Sequence, residues 1–377
     1  MTDIQKIESL VSQNKIEEVK QSLKDNNLKT KYLGKLLLMA AYSYKAGKDM
    51  IIFLLESGAN PNYETSHRET PVSICSNKGD FESVKILLEA GSKADFLCWS
   101  ELVYAIVFKS IDECRKLVES GASLTVRDRY WQRTPLFFAV QIGDIEKVKL
   151  LLEHGSNINE KGWCEENIVY YAIKNDQSEM LKFLISQSAD IFYSDENNQN
   201  YLMKASELGA SKCVEILIGE GLDVQEEDWV QSQAIDMAMN IETVKILQKY
   251  GANINRINGE GYNLLMYAVE MEDTCFLKEL LDLGADPNVT STGAIALHKS
   301  VYMDNVESIK MLLDAGSNAN AEDVDGWTPI FSVKSVEAAE LLLEFGADPR
   351  LEDCTGTNAI KRQKNKEIKK LFKEKIH

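Results

Sequence analysis

Histidine, cysteine and carboxylate side chains are where chemistry would have to reside in this 377-residue chain. Four histidines (His67, His154, His298 and His377) are scattered, and none falls into a metal-ligand spacing such as HExxH. Seven cysteines (Cys75, Cys98, Cys114, Cys164, Cys213, Cys275 and Cys354) stand singly without a CxxC pair. Their odd number and wide separation point away from a disulfide framework and from structural zinc. Asn258-Gly259-Glu260-Gly261 holds two glycines but lacks the pattern that cradles a phosphate. Carboxylates are abundant, yet no acid–base pair is singled out by spacing. The expectation is a protein with no catalytic site, no cofactor and no metal.

Charge and hydropathy narrow the partners. The chain carries −17 overall, and 44% of its residues are hydrophobic, a composition typical of a folded protein. Lys361 to His377 holds eight Lys or Arg against two Glu, a charge of +6, which leaves −23 on residues 1–360. An acidic body repels nucleic-acid phosphates and favours a basic protein. No run of 18 apolar residues is present, so no membrane partner is expected. The start, Met1-Thr2-Asp3-Ile4-Gln5, has neither the basic residues nor the apolar stretch of a secretion signal, which points to the cytoplasm.

The elements that must position any site are repeated. The phrase Leu54-Leu55-Glu56-Ser57-Gly58-Ala59-Asn60-Pro61-Asn62 returns at Leu151 to Asn159 and at Leu280 to Asn288. Its anchor position is held by Gly58, Gly91, Gly121, Gly155, Ser188, Gly221, Gly251, Gly284, Gly316 and Gly346, at spacings of 30 to 34 residues. Before the anchor lies an amphipathic stretch such as Asp144 to Leu152. The glycine then ends that helix in a left-handed conformation. Upstream, Thr70-Pro71, Thr134-Pro135 and Thr328-Pro329 start a first helix, with Thr as cap and Pro in the first turn. Three spacings are only 30: the finger is trimmed before Glu101, and the turn between helices is trimmed before Asn240 and before Ser335.

Together these residues resemble the ankyrin-repeat family over nearly the whole chain. The departures are Asn167-Ile168, Asn200-Tyr201, Asn263-Leu264 and Ile295-Ala296 in place of Thr-Pro, and Ser188 in place of one glycine. The resemblance implies an all-α solenoid of stacked antiparallel helix pairs joined by extended fingers. The expected organisation is a single elongated domain over 1–377, monomeric by default. Residues 1–30 would form an N-terminal capping half-unit, 31–356 the repeats, and 357–377 the capping helices. His298, in Ala296-Leu297-His298, matches the family's structural histidine, which ties down the finger backbone.

In this family the fingers and the outward positions of the first helices form a concave binding face. All five tryptophans (Trp99, Trp131, Trp163, Trp229 and Trp327) fall in finger segments, Tyr262 shares the position of Trp99 and Trp327, and Tyr130 adjoins Trp131. Acids crowd the same segments, including Glu165, Glu166, Glu226, Glu227 and Asp228. Stiff aromatic area with charge around it suits an interface hot spot. The expected function is a non-enzymatic adaptor that grips a basic protein, with the tryptophans and Tyr262 as anchors and the acids steering. An inhibitor or immunity-type protein that neutralises a basic toxin or nuclease is the alternative, and a host-directed effector is the third reading.

Overall fold

The structure is a computed structural model that describes residues 3–26, 30–43, 46–129, 131–162, 166–290 and 292–375. Tyr130, Trp163, Cys164, Glu165 and His377 lie outside the described residues. By its internal contacts the chain divides into two compact units: residues 1–172 with 179–189, and residues 173–178 with 190–377.

The first unit is built from α1 (Asp3–Ser12), α2 (Ile16–Asn26), α3 (Thr30–Tyr42), α4 (Lys48–Glu56), α5 (Pro71–Lys78), α6 (Phe81–Glu89), α7 (Glu101–Phe108), α8 (Ile111–Glu119), α9 (Pro135–Gln141) and α10 (Ile145–Glu153). The next helix, α11 (Ile168–Lys174), spans the boundary, and α12 (Ser178–Ser186) returns almost wholly to the first unit. First helices pack on first helices (α3 on α5, α7 on α9), and second on second (α4 on α6, α8 on α10). Their facing sides are closed by residues such as Leu37, Leu54, Val72, Leu87, Phe137, Phe138 and Leu151, all nearly inaccessible. Arg133 is buried in this core and paired with Asp128, its guanidinium also donating to the Ser76 carbonyl and to Gln141.

The second unit repeats the plan with α13 (Tyr201–Glu207), α14 (Ser211–Gly219), α15 (Ile241–Lys249), α16 (Leu264–Glu270), α17 (Thr274–Asp282), α18 (Ala296–Met303), α19 (Val306–Asp314), α20 (Val336–Glu344), α21 (Ala359–Arg362) and α22 (Lys366–Glu374). In two repeats the sequence was expected to shorten only the turn. The first helix itself collapses there to one 3-10 turn, Ala234–Met237 and Pro329–Ser332. Three missing residues amount to nearly one helical turn, so the short segment cannot complete an α-helix before the chain must reverse.

Helix starts also differ from expectation. Thr70 caps as expected, accepting from the Ser73 N–H at 3.2 Å. Neither Thr134 nor Thr328 makes a side-chain cap; the Thr134 hydroxyl bonds to Glu160 instead. The asparagines that depart from Thr-Pro are the genuine caps: Asn200 accepts from Met203 N–H at 3.0 Å and Asn263 from Met266 N–H at 2.9 Å. Ser188 adopts the left-handed conformation of the glycines it replaces, with φ of 65°.

Neighbouring repeats are tied by asparagine. Asn288 donates from its amide to the Gly316 carbonyl at 3.0 Å and accepts from the Asn318 N–H at 2.7 Å. Asn320 does the same with Gly346 and Asp348 at 2.8 and 2.7 Å, and Asn62 with Gly91 and Lys93 at 2.9 and 2.8 Å. This is the physical reason for the asparagine that ends the repeated phrase. Replacing Asn288 by Ala removes both bonds, and chemical denaturation should read a loss of about 1–2 kcal/mol.

His298 ties a finger as the resemblance implied. Its Nδ1 accepts from the Ile295 N–H at 3.2 Å, so the ring is neutral with its proton on Nε2, which donates to the Trp327 carbonyl at 3.0 Å. Burial holds its pKa below the ordinary 6.5, against hydrogen bonds that favour the charged form. The unfolded chain therefore binds a proton that the folded ring resists as pH falls through 6.5. Stability from this residue is full above pH 6.5 and declines as pH drops toward the lower folded value. Thermal unfolding between pH 7.5 and 5 should show this decline in the wild type and a shallower one in His298→Ala.

Candidate protein-binding face

Each finger reverses direction without a sheet; among the described residues there are only isolated bridges, at Lys161 with Asn167, Ser194 with Asn200 and Glu352 with Asn358. A side chain five residues before the helix start does the work of a strand partner. In the second unit Asp195, Asp228, Asp323 and Asp353 each accept from the N–H groups two and four residues ahead, at 2.8–3.0 Å. Asn258 does so for Glu260 and Tyr262 at 3.1 and 3.0 Å. Thr65 does the same for His67 and Glu69 in the first unit, both at 3.2 Å. Asp128 spans a finger one residue longer, accepting from Trp131 and Arg133. These staples were not recognised from sequence, although an Asp or Asn at a fixed distance before the helix was there to be read.

Finger also binds finger through the backbone. Gly259 N–H donates to the Val230 carbonyl, and Cys354 N–H to the Asp325 carbonyl, both at 3.0 Å. At Gly293, with φ of +79°, a Cβ would stand 2.2 Å from the Glu322 carbonyl, so only glycine permits the approach.

The expected anchors separate into two kinds. Trp99 is half-buried in an aromatic cluster with Phe81, Phe108 and Phe138, at ring distances of 5.2–6.0 Å. Trp327 is half-buried, stacked on Phe331 and with the Arg362 guanidinium 3.9 Å from its ring centre. Trp131 is half-buried, and its carbonyl lies against Gly162. Tyr262 packs against Tyr267 and accepts from the Lys299 ammonium at 3.1 Å. Trp99, Trp327 and Tyr262 brace the protein's own interior, because a ring that already has partners gives little new area to a ligand. Trp229 is different. It is 73% exposed, while its backbone N–H donates to Asn197 and its indole N–H to the Glu196 carbonyl at 2.8 Å.

The acids divide in the same way. Asp228 is buried as a staple and cannot serve as a surface charge, a correction to its expected steering role. Glu227 is exposed but paired with Arg256, and Glu226 is exposed with one oxygen accepting from Asn200. Glu166 lies beside the Tyr171 hydroxyl, whose pKa is raised chiefly by burial and further by that carboxylate. Asp195 is held below the usual carboxylate range: burial alone would raise it, and hydrogen bonds from Gln199, Lys204 and Asn197 outweigh that effect.

Sequence reading missed part of the exposed apolar surface in the second unit, namely Phe192, Met239 and Val324. Phe192, Met239, Met271, Tyr302 and Val324 are each at least half exposed. Of these, Met271 and Tyr302 end first helices, where outward positions were expected, and Met239 follows a collapsed helix. No group of His, Cys, Asp or Glu among the described residues is arranged to hold a metal ion. Burial pushes the thiols of Cys75 and Cys213 up to about 12. No helix among the described residues is long and apolar enough to cross a membrane.

Comparison with known proteins agrees with this architecture. The family model described as ankyrin repeats (3 copies) matches residues 74–162, 102–192, 136–228 and 232–323. Ankyrin repeat protein FPV115 of Fowlpox virus is 31% identical over 184 residues, 48% of this chain and 33% of that protein. Ankyrin repeat and SOCS box protein 6 of Homo sapiens is 30% identical over 172 residues, 42% of this chain and 41% of the relative. The matched region therefore spans less than half the length of either relative. The crystal structure of the human ASB11 ankyrin repeat domain superposes with a TM-score of 0.51 at 25% identity, covering 58% of this chain and all of that domain. Ankyrin repeats in general mediate protein–protein interactions, and this chain belongs to the ankyrin-repeat family.

Proposed function

We propose that the chain is a non-enzymatic adaptor that binds a basic protein on the face formed by its fingers and first helices. The observation that carries this reading is Trp229: a large aromatic side chain 73% exposed, yet fixed to the adjacent finger by its indole N–H. An immobilised aromatic group contributes contact area while losing little conformational freedom on binding. The exposed carboxylates Glu196 and Glu260 in the same unit supply the negative surroundings that favour a cationic partner. In this reading residues 1–30 and 357–377 act as caps; Ile368 and Phe372 of α22 are buried, while Lys366, Lys370 and Lys373 remain exposed.

Affinity capture from the native cell lysate, run with wild type and Trp229→Ala, tests the proposal. The wild type should retain a basic protein whose binding weakens with salt. The folded Trp229→Ala variant should lose about 2 kcal/mol of affinity, roughly 30-fold, as expected of a hot spot. Equal retention by both forms would remove Trp229 and its finger from the interface.

A further inference from the structure

The first of the two collapsed repeats leaves an opening in the second unit. Its neighbours α13 and α16 are seven residues long, whereas Ala234–Met237 is a single turn of four. Ala238 and Met239 then run directly into Asn240, the cap of α15. The Met239 N–H donates to the Ser206 carbonyl at 3.3 Å, which pins the backbone and leaves the side chain half exposed. The missing turn becomes a recess of about 350 Å³, with Met237, Met239, Met271, Tyr267 and Phe276 in its lining.

The second collapsed repeat fills the equivalent place with its own side chain. In the second collapsed repeat, Lys334 occupies the position of Met239, immediately before the helix cap. Its ammonium donates to the Tyr302 carbonyl and sits 4.4 Å from the Tyr302 ring centre. There the chain covers its own gap. At Met239, among the described residues, no such side chain reaches across, and the thioethers that line the space are flexible and polarisable enough to shape themselves to different apolar groups.

The charge at the recess has one sign. Among the described residues Glu207, Asp236 and Asp273 line it, and neither Lys nor Arg does. Asp236 is neutralised from behind by the Arg256 guanidinium at 2.7 Å. Asp273 spends one oxygen on the Phe276 N–H but remains exposed, as does Glu207. An apolar floor beneath two exposed carboxylates is complementary to an apolar side chain with a cation next to it, and repels an acidic segment.

We propose that this recess receives one large apolar side chain of an extended peptide segment, with an adjacent Lys or Arg of that segment paired to Glu207 and Asp273. The inference rests on the protein-binding reading above and names the chemistry of the bound segment.

Selection of a random displayed peptide library on the wild-type chain tests it, followed by fluorescence anisotropy of the enriched peptides against variants. The enriched sequences should share a Leu, Met or Phe beside a Lys or Arg. Met271→Glu should weaken them roughly tenfold or more, and Glu207→Lys should weaken them while flattening their salt dependence. Met271 is 60% exposed and Glu207 is exposed, so both variants should keep the wild-type circular dichroism and melting profile. On methyl-labelled wild type, peptide should shift the Met239 and Met271 resonances. Peptides that bind Met271→Glu as well as wild type would overturn the recess and leave the protein-binding reading standing. A selection that enriches nothing would count against both.

Discussion

Finger backbones that turn back on themselves outside any sheet must still satisfy their N–H and C=O groups. This protein meets that constraint with a side chain at one fixed place, most often a carboxylate, which accepts from two N–H groups of the same finger. Asparagine then carries the order from one repeat to the next, its amide donating to one carbonyl and accepting from one N–H. Helix packing supplies most of the buried apolar area, but the fingers owe their geometry to these polar contacts. A side chain such as Trp229 can stand in solvent with a fixed direction because the backbone beneath it has no freedom to turn.

The repeat, the helix pairs, the left-handed anchors and the role of His298 were legible in the sequence because each depends on local residues at a constant period. The asparagine caps were visible as departures from Thr-Pro, although their physical meaning was not: Asn200 and Asn263 cap better than Thr134 and Thr328, whose hydroxyls make no cap bond. The collapse of two first helices was hidden for a different reason. A spacing of 30 shows that residues are missing, while the choice between a shorter turn and a shorter helix is made by packing against neighbours far along the chain.

The candidate face was only partly legible. Position in a finger places a tryptophan but does not decide whether its ring meets solvent or another ring. Trp99 found Phe138, Trp327 found Arg362, and Trp229 stands 73% exposed. Acids posed the same difficulty: Asp228 and Glu227 look alike in the sequence, yet one is bonded inside its finger and the other pairs with Arg256. The number of acids in the fingers therefore overstates the carboxylates that a partner can touch, since the staples are bonded to their own backbone and Glu227 is paired with Arg256.

Shortening of a first helix also bears on how such a chain can diversify. A loss of three residues is close to a whole helical turn, so the residues that follow return to nearly the same angular phase and the next helix still finds its cap at Asn240 or Ser335. The ties between repeats lie at the other end of the repeat: Gln225 keeps the donor bond beside the first collapsed helix, and Asn320 keeps both bonds beside the second. Descendants of one ancestral repeat can thus trade a turn for a hollow, and a single further substitution such as Lys for Met can close it. Surface relief becomes a heritable trait that varies independently of the scaffold that bears it.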